Sequence, residues 1–356
     1  MKIAFTADIH LTNDPRHSSR SDALANILAQ CAASRIDALI IAGDLFNDDV
    51  SNPGVFENII RQFQPLEFPI FVLPGNHDPR LTSNLFSDEL HLRVIEEPTL
   101  DSDHFDLPVL FIPYAPDRQI GAVLSAFKKE LVANGFILVS HGDLPGQMEE
   151  RNTYENGFYM PLFNRELQEF KPRQVFLGHI HTPYSNGNVH YPGSPFGLDI
   201  TETGMRSFIV YDTKANEIER RPIRTNSLNY IKKILITPGS DETEQLKSAI
   251  EDWNNDWKQT DPMTVIVLRV SIEGYSSNRG AVESNLRVLI STSRNPIQIE
   301  SIDTANLSAF NQEILIGAVD DLKREVNNLP LVDGKTIPER DQIFSEVLNL
   351  LFGGKS

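Results

Sequence analysis

The chain predicts an α/β fold with a buried sheet, on three observations. Short apolar runs recur through its first two-thirds, helical stretches lie between several of them, and six of the seven runs end in Asp, Asn or His. The runs are KIAFTAD, DALIIAGD, PIFVLPGN, LPVLFIPY, GFILVSHGD, QVFLGHIH and RSFIVYD. They are almost continuously apolar, the pattern of strands covered on both faces. SDALANILAQCAAS, PGVFENIIRQF and AVLSAFKKELVAN place apolar residues at helical spacing between them. Strand–helix alternation of this kind builds a layered α/β domain.

A boundary falls near residues 222–230, after EIERRPIRTNS, so the first domain spans 1–225. Beyond it KKILITP, ETEQLKSAIEDW, MTVIVLRVSIEG, AVESNLRVLIST and PIQIESID restart the alternation as a small α/β domain over 226–305. From Leu307 the chain reads as helices, FNQEILIGAVDDLKREVNN and then PERDQIFSEVLNLLFGG, which makes 306–356 a helical tail. Ile343, Val347, Leu350 and Leu351 recur there at a spacing of three to four, a stripe for packing on its own domain or in a partner's groove.

Bulk properties narrow the function. The 356 residues are 40% hydrophobic, normal for a globular protein, and no run approaches the roughly 20 apolar residues that cross a bilayer. The opening MKIAFTADIH lacks the apolar segment of a secretory signal, and the single cysteine, Cys31, excludes an internal disulfide. A cytoplasmic protein without membrane contact is the expectation. The formal charge of −17, with no Lys/Arg run longer than a pair, argues against tight, unaided DNA binding, which depends on phosphate neutralisation. An acidic chain can still gather divalent cations, which supply positive charge locally.

The polar ends of the strands form one constellation. Asp8 and His10 close the first run (ADIH), Asp44 the second (AGD), Asn76 and His77 the third (PGNHD), His141 a later one (SHG), and His179 and His181 the last (GHIH). On an extended strand, residues two apart face the same side, so His179 and His181 would meet at one point with Ile180 turned into the core. Open α/β sheets bind ligands at the carboxyl ends of their strands. Asp8, His10, Asp44, Asn76, His141, His179 and His181 are therefore read as metal ligands. Glycines before Asp44, Asn76 and His179 allow sharp turns and close backbone approach. Seven nitrogen and oxygen donors without sulfur are too many for one four-coordinate zinc. They suit two ions of the Mn²⁺, Fe²⁺ or Zn²⁺ type that share a ligand, and Asp44, the one carboxylate without a neighbouring histidine in its motif, is the natural bridge. Asp8, His10 and His181 would complete one ion, and Asn76, His141 and His179 the other.

The ordered set DxH, GD, GNHD, SHG and GHxH resembles the calcineurin-like metallophosphoesterase superfamily over roughly residues 1–215. ADIHL with Arg20 and Asp22 ahead of a helix, GDLF, LPGNHD, and YPGSPFG after GHIH are similar to its SbcD-type DNA nuclease subunits. The resemblance implies a β-sandwich flanked by helices (four layers, αββα), then an α/β capping domain and helical elements that dock on an SbcC-like SMC ATPase with a coiled-coil base. It also implies a homodimer, a DNA substrate and two divalent ions, Mn²⁺ first, with Fe²⁺, Zn²⁺ or Mg²⁺ as alternatives. The reaction expected is in-line attack of a dimetal-activated water on a phosphodiester. His77, next to Asn76, is the candidate to stabilise developing charge or protonate the leaving oxygen. Phosphatases of this superfamily orient that histidine with an aspartate three residues after the bridging one. Here Asn47 stands at that position with Asp48 beside it, and either could take the role.

Arg16, Arg20, His190, Tyr191 and Ser194 are candidate substrate contacts, the last three from the turn after GHIH. A small-molecule or cyclic-nucleotide phosphodiesterase is the alternative function, although it would need no tail of about 130 residues. A purely structural metal site would have no use for His77.

Overall fold

The computed structural model describes residues 1–47, 53–133, 135–146, 158–237, 241–309 and 316–328, with Ile343 and Val347. The chain divides into two units, Met1–Leu198 with Gly204–Asn226, and Asp199–Thr203 with Ser227–Ser356.

In the first unit the strands are β1 (Lys2–Thr6), β2 (Ala38–Ala42), β3 (Ile70–Leu73), β4 (Leu92–Val94), β5 (Thr99–Asp101), β6 (Val109–Ile112), β7 (Ile137–His141), β8 (Gln174–Gly178), β9 (Tyr184–Asn186), β10 (Val189–Tyr191), β11 (Ser207–Asp212) and β12 (Glu217–Pro222); the seven apolar runs supply β1, β2, β3, β6, β7, β8 and β11, and the other five strands lie outside them. They form two six-stranded mixed sheets, ordered β12-β11-β1-β2-β3-β4 and β5-β6-β7-β8-β10-β9. The helices are α1 (Ser18–Ala33), α2 (Pro53–Arg61), α3 (Ile120–Ala126) and α4 (Asn164–Phe170).

Alternation along each strand sorts its side chains between two cores. Ile3, Phe5, Ala38, Ile40 and Phe71 of the first sheet meet Val109, Phe111, Ile137, Val139 and Phe176 of the second. Phe5 and Phe176 stack there with centroids 3.6 Å apart. The intervening residues Ala4, Leu39, Ile41, Ile70 and Val72 turn outward onto Leu24, Ile27, Leu28 and Cys31 of α1 and Phe56 and Ile60 of α2. Leu110, Leu138, Val175 and Leu177 do the same against Ile120 and Leu124 of α3 and Phe170 of α4. Four layers, αββα, result, and near-continuous apolarity in the strands is the sequence mark of both faces being covered. Helix α3 is shorter than its periodicity predicts: Phe127 leaves helical geometry (φ −90°, ψ 7°), and it and Leu131 pack on the core from irregular turns.

In the second unit β13 (Ser227–Ile236), β14 (Val265–Ser276), β15 (Ile297–Asp303) and β16 (Leu307–Ala309) form a parallel sheet, with β14 pairing the other three. Leu246, Ile250 and Trp253 of α5 (Glu242–Asp256) and Val282, Leu286 and Ile290 of α6 (Arg279–Ile290) cover its core residues Ile234, Ile266, Leu268, Val270 and Ile272. Asp241 and Asn278 cap the two helices by accepting from main-chain N–H groups of their first turns. The segment read as helical from Leu307 begins instead as β16, because Leu307 is buried beside the end of β14; three residues carry no periodicity. Helix α7 (Ile316–Asn328) follows. Ile343 packs with Tyr275, Leu322 and Val326, whereas Leu350 and Leu351 lie outside the described residues. No helix among the described residues is long and apolar enough to cross a membrane.

Two outcomes follow from the packing. Phe5→Ala, which empties the inter-sheet stack, is expected to cost about 3–5 kcal/mol in chemical denaturation. Burial on the inner face of α1 pushes the Cys31 thiol up to about 12, with Arg221 a smaller opposing influence. The thiol is protonated well past neutral pH, so Ellman's reagent at pH 8 should find no reactive thiol until denaturant is added, and then one per chain.

Candidate metal centre

The seven predicted donors come together at one edge of the first unit, beyond the ends of β1, β2, β3, β7 and β8. They do not get there by strand alternation. Apart from His141, the last residue of β7, they lie past the strand ends. Asp8, His10, Asp44 and His179 all take positive φ (54°, 52°, 52° and 94°), which turns the chain out of the sheet and brings each side chain back over its edge. Such conformations cost about 1–3 kcal/mol each for residues other than glycine and gather where surrounding structure enforces them. Main-chain bonds enforce them here: Asp8 N–H donates to Gly43 O (3.1 Å) and His10 N–H to Asp44 O (3.0 Å). Ile180 is buried in the core behind β8, as an inward-turned residue between two outward histidines should be.

The donor atoms face one another. Each buried carboxylate anchors one oxygen on the backbone and aims the other inward: Asp8 Oδ1 accepts from His179 N–H (2.8 Å), and Asp44 Oδ1 from His77 N–H (2.8 Å). Asp8 Oδ2 is buried without a hydrogen-bond partner, and Asp44 Oδ2 sits 3.4 Å from His141 Nε2 and 3.7 Å from His10 Nε2. His141 Nδ1–H donates to Ala42 O (2.9 Å), which in the neutral ring leaves a lone pair on Nε2, 2.8 Å from Asn76 Oδ1. His179 Nδ1 lies 3.0 Å from the same oxygen, and His10 Nε2 is 3.3 Å from His181 Nε2. Contacts between acceptors repel unless a proton or a cation sits with them. Among the described residues three groups could hold a metal ion, with donor atoms within 4.8 Å of one another: Asp8, His10 and His181; Asp8, Asp44 and His141; and His10, Asp44 and His77. This donor set, with an orphaned buried carboxylate oxygen at its heart, fits divalent cations of the Mn²⁺, Fe²⁺ or Zn²⁺ type.

Proton equilibria carry the same conflict. Burial pushes the Asp8 carboxyl up to about 6, against His141 and His181. Burial also opposes the charge on Asp44, yet His141 and then His10 hold its carboxyl far below the usual range. Burial disfavours protonated His141, but Asp44 and Asp8 raise it to about 9; burial and then His141 drive His179 down to about 3. The carboxylates thus favour positive charge at His141, whereas burial and the neighbouring ring disfavour it at His179.

The surrounding shell differs from the sequence reading in several places. His77 Nδ1–H donates to the main-chain carbonyl of Asn47 (2.9 Å), so the oxygen oriented toward His77 belongs to the backbone of Asn47 and not to its side chain. The Asn47 side chain accepts from Arg20 Nη1 (3.0 Å), and Asp48 lies outside the described residues. Arg20 is buried and also donates to His10 O (2.7 Å), which makes it a brace within the protein and not an exposed substrate contact. His190, Tyr191 and Ser194, also read as substrate contacts, are buried too: His190 lies between Gln174 Oε1 and Ser185 Oγ, the Tyr191 hydroxyl donates to Gly142 O (2.8 Å), and Ser194 N–H donates to His181 O (3.0 Å). Arg16 alone of the five is exposed, with its guanidinium on Asp14.

Other members escaped the sequence reading. Asp78 joins two strand-end loops by accepting from Gly75 N–H (2.7 Å) and Phe46 N–H (3.0 Å), and Asp143 Oδ1 lies 3.6 Å from His179 Nε2. Both stand inside the quoted motifs, in GNHD and SHGD. Tyr114 and Tyr159 line the His141 and His179 rings, and Arg206 grips His181 O; nothing local in the sequence marks these three.

The glycines have different reasons. Gly43 has φ 94°, and a Cβ there would also meet His141 Nδ1 at 2.2 Å. Gly178 has an ordinary φ but no room: its Cβ would stand 2.0 Å from Ala42 O, the acceptor that fixes the His141 ring. Gly178→Ala is expected to cost about 1–3 kcal/mol in urea unfolding and to weaken Mn²⁺ uptake in a metal titration, because His141 loses its anchor.

Comparison with known proteins agrees with this geometry. The calcineurin-like phosphoesterase family model matches residues 1–200. The chain is 26% identical to the SbcD component of the SbcCD nuclease of Bacillus subtilis (strain 168) over 265 residues, 61% of this chain and 67% of that protein. It is 24% identical to Exonuclease subunit 1 of Enterobacteria phage T4 over 285 residues, 76% of this chain and 74% of that one. It is also 26% identical to a probable cyclic nucleotide phosphodiesterase of Coxiella burnetii over 197 residues, 52% of this chain and 77% of that one. With five strand ends delivering the donor set and the family model spanning the unit that carries it, the chain belongs to the calcineurin-like phosphoesterase family.

Proposed function

We propose that this chain is the nuclease subunit of a DNA-processing assembly, a metal-dependent phosphodiester hydrolase that acts on DNA together with an SMC-like coiled-coil ATPase. The observation that carries the reading is the convergence of Asp8, His10, Asp44, Asn76, His141, His179 and His181 with His77 beside them. The choice of DNA is supported by the relatives named as nuclease or exonuclease components. They align over 61% and 76% of the chain, more than the 200 residues of the family model account for. A partner ATPase would supply the DNA-holding surface that a chain of net charge −17 lacks. The assembly would serve DNA repair, phage replication or defence, and a homodimer belongs to the same proposal.

Two divalent cations, Mn²⁺ first and Fe²⁺, Zn²⁺ or Mg²⁺ as alternatives, would neutralise phosphate charge and acidify a water toward neutral pH. Asp44 is assigned to both, since its inward oxygen faces His10 on one side and His141 on the other. Asp8, His10 and His181 complete one set, and Asn76, His141 and His179 the other. His77 has a different task. A carbonyl only accepts, so the contact with Asn47 O assigns the Nδ1 proton and makes Nε2 the nitrogen that exchanges a proton. From there it would protonate the leaving sugar oxygen.

A second reading, hydrolysis of cyclic nucleotides or other small phosphodiesters at the same centre, is favoured by the Coxiella burnetii relative. One assay separates the two: 5′- and 3′-labelled linear DNA with Mn²⁺, with and without a candidate SMC-like ATPase. The expected result is cleavage that EDTA abolishes and Mn²⁺ restores. His77→Ala should lower kcat about 10²–10⁴-fold with Mn²⁺ content unchanged. Intact DNA alongside turnover of bis-p-nitrophenyl phosphate or a cyclic nucleotide would replace the nuclease reading with the second one.

A further inference from the structure

We propose that Arg206, with Arg20 as its counterpart, is a positioning residue that sets the metal-binding geometry of His181 and His10. The proposal rests on the dimetal reading above and assigns a role to two buried arginines, one at each of these histidines.

His10 and His181 are the outer residues of the DxH and HxH motifs, and their Nε2 atoms lie 3.3 Å apart, with Asp8 completing the group. Both residues sit beyond their strands, where single main-chain bonds such as His10 N–H to Asp44 O and Ser194 N–H to His181 O hold the backbone. In both, a buried guanidinium holds the carbonyl. Arg20 Nη1 donates to His10 O (2.7 Å), and Arg206 Nη2 donates to His181 O. Arg206 also donates from Nε to Ser194 O (3.0 Å) and from Nη2 to Ser194 Oγ (2.9 Å), while Ser194 N–H donates back to His181 O (3.0 Å). A rigid, planar fork can satisfy acceptors on both sides of the loop at once; a lysine ammonium lacks that fixed geometry.

The base of this fork is as firmly held as its tip. Ile223 N–H donates to Arg206 O (2.8 Å), and Arg206 directly precedes β11, whose antiparallel register runs from Lys2 opposite Asp212 to Phe5 opposite Ile209. That register brings the start of β11 to the end of β1 from which Asp8 and His10 emerge. Arg206 thus has its backbone at the start of β11 in the first sheet, held by Ile223 N–H, and its guanidinium on the loop after β8 of the second, and it locks the spacing between the two halves of the donor set. Burial of both arginines, at 5% and 8% exposure, keeps water from competing for these carbonyls.

The test is Mn²⁺ binding by the full chain, followed by calorimetry and by electron paramagnetic resonance, for the wild type and for Arg206→Met, Arg206→Lys and Arg20→Met. The wild type should bind two ions with an exchange-coupled spectrum. Arg206→Met and Arg20→Met should each weaken one ion by about 10–100-fold and leave the other with the six-line spectrum of an isolated Mn²⁺. Thermal unfolding in EDTA should show both Met variants folded with a lowered midpoint, from the carbonyls left without a donor, and Arg206→Lys should recover part of the lost affinity. Wild-type stoichiometry and spectrum in Arg206→Met would overturn the proposal. Should that variant not fold, Arg206→Lys decides: an unaltered coupled spectrum overturns the proposal, and partial loss of coupling supports it. A wild-type chain that takes up no Mn²⁺ would overturn the dimetal reading itself, a result distinct from normal two-ion binding by the variants.

Discussion

A cluster of hydrogen-bond acceptors buried face to face is the constraint on which the first unit depends. Asp8 Oδ2 has no partner, Asn76 Oδ1 faces two imidazole nitrogens, and the Nε2 atoms of His10 and His181 confront each other. In a dry pocket such an arrangement is costly unless positive charge joins it. Divalent cations resolve it in a way that protons shared unequally among the rings do not. The formal charge of −17, which counts against unaided DNA binding, is no obstacle to a centre that gathers cations.

The rest of the unit holds this cluster against its own repulsion. Each carboxylate is tied by one oxygen to a main-chain N–H of another strand-end loop, so no donor can retreat alone. Asp78 links the loops after β2 and β3, and His141 is pinned to the last residue of β2. Four strained residues keep their positive φ because two stacked sheets fix the ends of the chain segments that contain them. Packing energy in the inter-sheet core, with Phe5 on Phe176 at its middle, offsets the local strain at the edge.

Several residues that looked like substrate contacts belong to this scaffold. Arg20, His190, Tyr191 and Ser194 are polar residues near the motifs, and proximity in sequence suggests a role facing solvent. Burial assigns them the opposite role, as partners of main-chain carbonyls or of one another. The orienting oxygen for His77 shows the same limit: the position of Asn47 was legible, but the atom that acts there is a carbonyl, which every residue carries. Asp78 and Asp143 could have been found, since they stand in quoted motifs; Tyr114, Tyr159 and Arg206 could not, because their distance along the chain from the motifs hides their contact with it.

By itself the sequence determined the layered α/β class, seven of the first unit's strands and the set of candidate donors. Apolar continuity reports burial on both faces, and DxH, GD, GNH, SHG and GHxH each place donor types at a strand end. These are local signals, carried by residues a few positions apart. Tertiary structure alone decided how the donors converge, through left-handed turns past the strand ends and not through strand alternation. It also decided which oxygens are anchored and which are left facing inward, that Leu307–Ala309 joins a sheet, and that buried arginines from distant positions hold His10 and His181. The physical reason is that hydrogen-bond partners, burial and backbone strain depend on what the folded chain brings alongside, and no short window of sequence contains that.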